Sequence, residues 1–445
     1  MDASVALGQA QAALERATLR KVYLRLVPFC FLLYILCYVD RINVSFAALT
    51  MNRDLGLSAS VYGVAAGAFF WGYCLLEVPS NIILERVGAR PWIARIMISW
   101  GLLSAATALV TGPTSFFVVR VLLGVAEAGL FPGLLLYFHR WFPQQHRGRV
   151  VGWFLTGLPL ATAIGAPIST AFLQMDGIWG LHGWQWMFVG EGIPTALVGV
   201  TVLFFLTERP SEARWLAPEQ RAWLDEALRR ERYAIELVRS HSILSAMTNP
   251  RLLILTVIFA GIGMAGVGTV LFLPQILKAI GVSNTQAGLL TSVPYVFGTV
   301  AIVVCGHLSD KVTDRYWTLV VTCGLATIGM ILAAMLHDSL WVLAAFSVAT
   351  MGFYGMKSPF WPLPSTFLTG SALAAGLALI NSLGNFAGYL GPIAVGYAKD
   401  ATGSFQAGLY ALAAAAFAST VTALGCALWM PRGAASPARL LPIRR

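Results

Sequence analysis

The chain has 445 residues, of which 58% are hydrophobic and only 11% charged. Soluble domains carry about 25% charged residues, so this composition excludes a soluble globular protein and points to membrane-spanning segments. The net charge of +10 is distributed over alternate loops, which argues against a nucleic-acid partner.

A helix that crosses a bilayer needs roughly 20 mostly apolar residues. In chain order such runs are centred near Ile35, Cys74, Ser99, Ala126, Ala163, Val198, Gly263, Phe297, Ala326, Ala349, Ser382 and Ala416. The run around Ala349 is the least regular, because Pro359, Pro362 and Pro364 crowd its end. Continuous apolar runs predict helices, since barrel strands would alternate polar and apolar residues. The expected fold is therefore an all-α membrane protein with twelve transmembrane helices. The polar stretch before the first run, and the length of that run, do not match a cleavable signal sequence. The six cysteines all fall within apolar segments without a Cys-x-x-Cys pair, and are expected to pack as small hydrophobes. The histidines show no metal-ligand spacing and no Walker loop is present, so neither a metal nor an ATP-driven cycle is expected.

Several apolar runs are interrupted by charge. Asp40 and Arg41 interrupt the first, Glu77 the second, and Arg120 with Glu127 the fourth. A charge at the centre of a bilayer helix costs about 2.5–3.5 kcal/mol, so such residues suggest the movement of charge. Glu191 lies near the outer end of the sixth run, where hydration is the simple expectation, and Lys357 is the only base inside an apolar run of the second half. Bases collect in one set of loops, from Arg16, Arg20, Lys21 and Arg25 to Arg432, Arg439, Arg444 and Arg445 in the tail. By the positive-inside rule both termini and the central loop are expected to be cytoplasmic, which requires an even number of spans.

Composition divides the chain into an N-terminal six-helix bundle (1–206), a cytoplasmic linker (207–250) and a C-terminal six-helix bundle with its tail (251–445). The linker is rich in Glu and Arg. It is expected to be a solvated tether, or an amphipathic helix docking through Trp215, Leu216, Trp223, Leu224 and Leu228. The halves are related internally: NIILERVGAR ends at Arg90 and GHLSDKVTDR at Arg315, and the same offset of 225 joins Pro167 to Pro392. Duplicated bundles with a substrate site at their interface are a transporter architecture.

NIILERVGAR resembles the loop signature of the major facilitator superfamily, Gly-x-Leu-Ala-Asp-Arg-x-Gly-Arg-Lys. Glu85, Arg86, Gly88 and Arg90 match it, whereas Asn81 and Ala89 depart from it. The second copy keeps Gly306, Leu308, Asp310, Lys311 and Arg315. CYVDRINVSFA from Cys37, EVPSNIILERVGAR from Glu77, VRVLLGVAEAGLFPG from Val119, RWFPQQHRGR from Arg140, GWQWMFVGEGIP from Gly183 and INSLGNFAGYLGP from Ile380 resemble the anion:cation symporters of that superfamily. The likeness runs from about Val22 to Met430. It implies two pseudo-symmetric six-helix bundles and proton-coupled transport of organic acids such as tartrate, phthalate, hydroxyphenylacetate or sugar acids.

Carried over residue by residue, the resemblance makes Arg41 the ligand of a substrate carboxylate. A planar guanidinium fork suits that task, and on a helix its neighbour Asp40 points about 100° away. Tyr38 and Tyr73 match positions that donate hydrogen bonds to the anion, with packing aromatics as the alternative. Trp361 and Asn385 match cavity positions, and Asn381 shares the face of Asn385 one turn earlier. Lys357 precedes the proline-broken SPFWPLP and either serves a second acidic group or snorkels.

Glu127 matches a membrane-embedded proton acceptor, and Asp40 is a second candidate. A carboxyl shielded from water favours its neutral form, so it can load and release a proton near neutral pH. Arg120 is two turns from Glu127, too far to touch it, and is expected to pair with an acid on another helix, such as Asp40, in one state of the cycle, an exchange of partners that couples proton binding to opening, with a static structural bridge as the alternative. Glu85, Arg86, Arg90, Asp310, Lys311 and Arg315 are expected to form gating ion pairs, with topogenic charge as the alternative. The whole describes a monomeric importer of an aromatic or hydroxylated organic carboxylate, with protons as coupling ion and no other cofactor, in the bilayer of a bacterial inner membrane. An exchanger or exporter on the same scaffold, or a receptor that binds without carrying, are the alternatives.

Overall fold

The computed structural model describes residues 2–236, 247–311, 314–368 and 370–429, so the tail arginines from Arg432 onward lie outside it. The described residues are almost wholly helical, as a chain must be where no water can pair its backbone groups. The helices are α1 (Asp2–Asp54), α2 (Ala59–Gly67), α3 (Phe69–Val87), α4 (Ala89–Ala106), α5 (Pro113–Glu127), α6 (Leu130–Trp141), α7 (Gln144–Leu155), α8 (Gly157–Leu173) and α9 (Gly183–Phe205). Then follow α10 (Pro218–Glu236), α11 (Pro250–Ala279), α12 (Asn284–Lys311), α13 (Arg315–Met335), α14 (Val342–Gly355), α15 (Lys357–Phe360), α16 (Gly370–Thr402) and α17 (Gln406–Trp429).

Among the described residues ten segments are long and apolar enough to cross a membrane. Three of them join two helices: α2 with α3, α5 with α6, and α7 with α8. The two other expected spans are the short α14–α15, broken at Met356, and the 33-residue α16, which carries Asn381, Ser382 and Asn385.

The chain forms two compact units: residues 1–239 with 283–292, and residues 240–282 with 293–445. Each repeats one packing scheme. In the first, the first span packs on the fifth (α1 on α8) and the third on the sixth (α4 on α9). In the second, α11 packs on α16 and α13 on α17, the equivalent pairs. The offset that relates Pro167 of α8 to Pro392 of α16 therefore joins equivalent helices.

The linker is a correction to the solvated-tether expectation. Its helix α10 docks on the first unit, with Leu216, Leu224 and Leu228 buried. Trp215 stacks on Trp141 at 5.5 Å, Lys21 donates to Gln220 at 3.0 Å, and Arg147 pairs with Glu231 at 2.6 Å. Trp223 is only half-buried. The first compact unit accordingly includes α10.

Glycines set the closest approaches. A Cβ on Gly124 of α5 would strike the Phe69 carbonyl of α3, and one on Gly72 would strike the Val121 carbonyl. Gly101 of α4 and Gly192 of α9 stand in the same relation: a Cβ on Gly101 would lie 2.5 Å from the Ala196 nitrogen, and one on Gly192 2.6 Å from that of Ala105. These two seams fix how α3 is set against α5 and α4 against α9.

Candidate substrate and proton site

The first unit brings Arg41 of α1 against Glu127, the last residue of α5. The guanidinium Nη2 forms a direct ion pair with Glu127 Oε1, and the two side chains are 15% and 1% exposed. Glu127 owes its position to a helix break. Its span stops at Ala128 and restarts at Leu130, and Gly129 turns between them with φ of 91°, a conformation that glycine adopts at little cost. The Ser80 hydroxyl donates to the Ala128 carbonyl at 2.6 Å, satisfying a group that the break releases.

Three rings enclose the cation. The Arg41 guanidinium carbon lies 4.8 Å from the Tyr38 ring centre, 5.0 Å from Phe69 and 5.2 Å from Tyr73. Ring faces attract a cation most strongly where water is excluded. Arg41 Nη1 also donates to the Tyr38 hydroxyl at 3.4 Å, and the Cys37 thiol donates to Glu127 Oε1 at 3.1 Å. Phe69 and Tyr73 reach Arg41 because the glycine seam presses α3 against α5. Cys37, expected only to pack, completes the carboxylate's environment. It lies four residues before Arg41, a spacing that sets both on one helix face.

Arg120 departs from expectation. It is 2% exposed, but its Nε and Nη2 donate to the Ala66 carbonyl at 3.3 and 3.1 Å, and its guanidinium carbon lies 5.3 Å from the Phe69 ring centre. Ala66 belongs to the last turn of α2, where carbonyls lack intrahelical partners and carry partial negative charge, so the arginine satisfies a helix terminus. The expected pair with Asp40 is not formed. Asp40 instead accepts at Oδ1 from the Ser104 hydroxyl of α4 at 3.0 Å and from the Asn43 amide at 3.4 Å. As the helical angle requires, Asp40 and Arg41 face different neighbours.

In the second unit, Lys357 lies 5.7 Å from the Phe259 ring centre and 5.9 Å from that of Tyr354. Trp361 meets the same Phe259 at 5.3 Å, so Phe259 joins these two residues and is a member of the group that the sequence did not single out. Asn381 and Asn385 are half-buried one turn apart on α16, which packs on the helix bearing Phe259.

The signature loops give a different arrangement from the expected ion pairs. Glu85, Arg86 and Arg90 are exposed, and none forms a salt bridge with another described residue. The carboxylate that engages this turn is Glu208, which accepts from the backbone N–H groups of Ala89 at 2.8 Å and Arg90 at 2.9 Å and pairs with Arg140 at 2.7 Å. Its charge sits at the N-terminus of α4, where the helix dipole favours an anion. Asp310 and Lys311 end α12, and their side chains lie outside the described residues; Arg315 opens α13, capped by Asp314.

The model of the Major Facilitator Superfamily matches residues 30–392. The chain belongs to this superfamily. It is therefore a membrane transporter and not an enzyme. Among its superfamily relatives, a protein of Agrobacterium vitis named "Putative tartrate transporter" is 46% identical, over 94% of this chain and 93% of its own. The quinolone resistance transporter of Acinetobacter baumannii is 41% identical, over 89% and 92%. The crystal structure of a D-xylose-proton symporter superposes with a TM-score of 0.74 at 17% identity, covering 92% of this chain and 98% of its own, which shows the shared fold.

Proposed function

We propose that this superfamily member imports an organic carboxylate together with protons, and that Arg41 and Glu127 couple the two. The observation that carries the proposal is the buried ion pair between them. A substrate carboxylate and the Glu127 carboxylate compete for one guanidinium fork. While Glu127 is ionised it occupies Arg41. A proton on Glu127 removes its charge, weakens the pair and frees the fork for a bidentate substrate carboxylate. Proton and anion therefore load together, and the site keeps its net charge. When the proton leaves toward the cytoplasm, Glu127 reclaims Arg41 and displaces the substrate.

Tyr38 and Tyr73 flank the fork with a hydroxyl and a ring, which suits a hydroxylated or aromatic acid. The name of the Agrobacterium vitis relative favours a small hydroxylated dicarboxylate. Lys357, Trp361, Asn381 and Asn385 are assigned to the substrate through the family resemblance, with Lys357 available to a second acidic group. Asp40 is the second proton carrier. The protein works as a monomer in a bacterial inner membrane with both termini in the cytoplasm.

The test is uptake of labelled tartrate and other organic acids into proteoliposomes under an imposed inward proton gradient. Accumulation that collapses with a protonophore supports symport. Accumulation only under an outward gradient supports the second reading, export, which the name of the Acinetobacter baumannii relative favours.

A further inference from the structure

A second group of buried acids, Asp40 and Glu191, lies apart from the Arg41–Glu127 ion pair in its hydrogen bonding. Glu191 of α9 is 6% exposed and Asp40 4%, so hydration does not explain Glu191 as the sequence suggested. Ser169 of α8 donates to Glu191 Oε1 at 2.7 Å, and Ser104 of α4 donates to Asp40 Oδ1 at 3.0 Å. Asn43, fully buried, stands beside both acids: its amide donates to Asp40 Oδ1 at 3.4 Å, and it lies alongside Glu191. The Thr195 hydroxyl stands beside Asp40 without reaching full hydrogen-bond geometry. Asp40 Oδ2, Glu191 Oε2 and Asn43 Oδ1 are buried acceptors with no donor among the described residues. The Gly101–Gly192 seam holds this group together, since it joins α4 and α9 within three residues of Ser104 and one residue of Glu191.

Among the described residues no salt bridge joins a base to either acid, and Arg41 is committed to Glu127. The sequence of α8 contains no titratable residue, that of α9 none but Glu191, and Arg95 of α4 lies nine residues from Ser104, roughly 13 Å along the helix. Two ionised carboxyls buried without a cation would be strongly unfavourable, whereas one shared proton leaves a single charge that the Asn43, Ser104 and Ser169 donors can stabilise.

We propose that Glu191 and Asp40 form a carboxyl pair that shares one exchangeable proton, with Asn43 donating to whichever member is ionised. Glu191 then becomes a proton-carrying residue of the transporter. Its part in transport rests on the proton-coupled reading above, but its protonation does not.

The test is infrared spectroscopy of the reconstituted protein without substrate, titrated with pH. Wild type should show a protonated-carboxyl C=O band that titrates reversibly, and Glu191→Gln should lose it while unfolding at the wild-type temperature. Should Glu191→Gln not fold, Ser169→Ala replaces it. This variant removes a hydrogen bond to a charged group and should displace the titration by about one pH unit. Both comparisons are made on a Glu127→Gln background, so that the Glu127 carboxyl adds no band of its own. A titrating band unchanged in both variants on that background overturns the proposal, as does a Glu191 band that does not respond to pH. Loss of the band when sodium replaces choline at constant pH assigns the acceptors to a metal cation and also overturns it. Because substrate is absent, failure here is distinguishable from failure of the uptake assay.

Discussion

Arg41 and Glu127, 86 residues apart in the chain, form a buried ion pair that a helix break and three aromatic rings hold in place. The residue proposed to bind a substrate carboxylate is thus already bound by a carboxylate of the chain. Removing one partner of a buried pair leaves an uncompensated charge and costs about 3–5 kcal/mol, so either partner has reason to accept a replacement from solution.

Arg41→Lys keeps the charge and loses the fork. With one hydrogen bond to a charged group lost, about 1.5 kcal/mol or more, binding of the organic acid should weaken by at least roughly tenfold while the fold survives. Titration calorimetry and thermal unfolding of the purified variant check this. Unchanged affinity would remove Arg41 from the substrate site.

Glu127→Gln imitates the permanently protonated acid. It should abolish accumulation driven by a proton gradient but retain counterflow exchange, which needs no net proton release. In Glu127→Gln the carboxylate that competes for Arg41 is gone, so the organic acid should bind at least as tightly as in the wild type. Paired uptake and binding measurements decide it, and gradient-driven accumulation at the wild-type level would contradict the coupling.

Gly124→Val should cost about 1–3 kcal/mol or more, because its side chain meets the Phe69 backbone and not a movable side-chain end. The shift should also separate Phe69 and Tyr73 from Arg41. Gly152→Ala on α7, where a Cβ meets nothing within 4 Å, should be neutral or slightly stabilising. Thermal unfolding in detergent compares the two, and equal stability would refute the seam.

Glu208→Ala should remove the anionic cap of α4. Losing hydrogen bonds to two backbone N–H groups and the Arg140 pair should destabilise by about 1–3 kcal/mol. Hydrogen exchange should accelerate at the Ala89 and Arg90 amides. Unaltered exchange there would show that the cap is not held in solution.

The sequence by itself determined the class of the protein, its spanning helices and the duplication, because a bilayer core demands long apolar runs and penalises every charge within them. It also identified Asp40, Arg41, Arg120 and Glu127 as exceptional, and the helical angle separated Asp40 from Arg41. Tertiary structure decided the partners. That Arg41 meets Glu127, that Arg120 caps α2 at Ala66, and that Glu191 is sealed beside Asp40 and Asn43 all depend on how helices distant in the chain are rotated against each other. Those rotations are set where backbones touch, at Gly72 with Gly124 and at Gly101 with Gly192. The docking of α10 and the capping of α4 by Glu208 were hidden for a related reason. An acid in a polar segment looks solvated until a helix N-terminus, more than a hundred residues earlier in the chain, is brought to it.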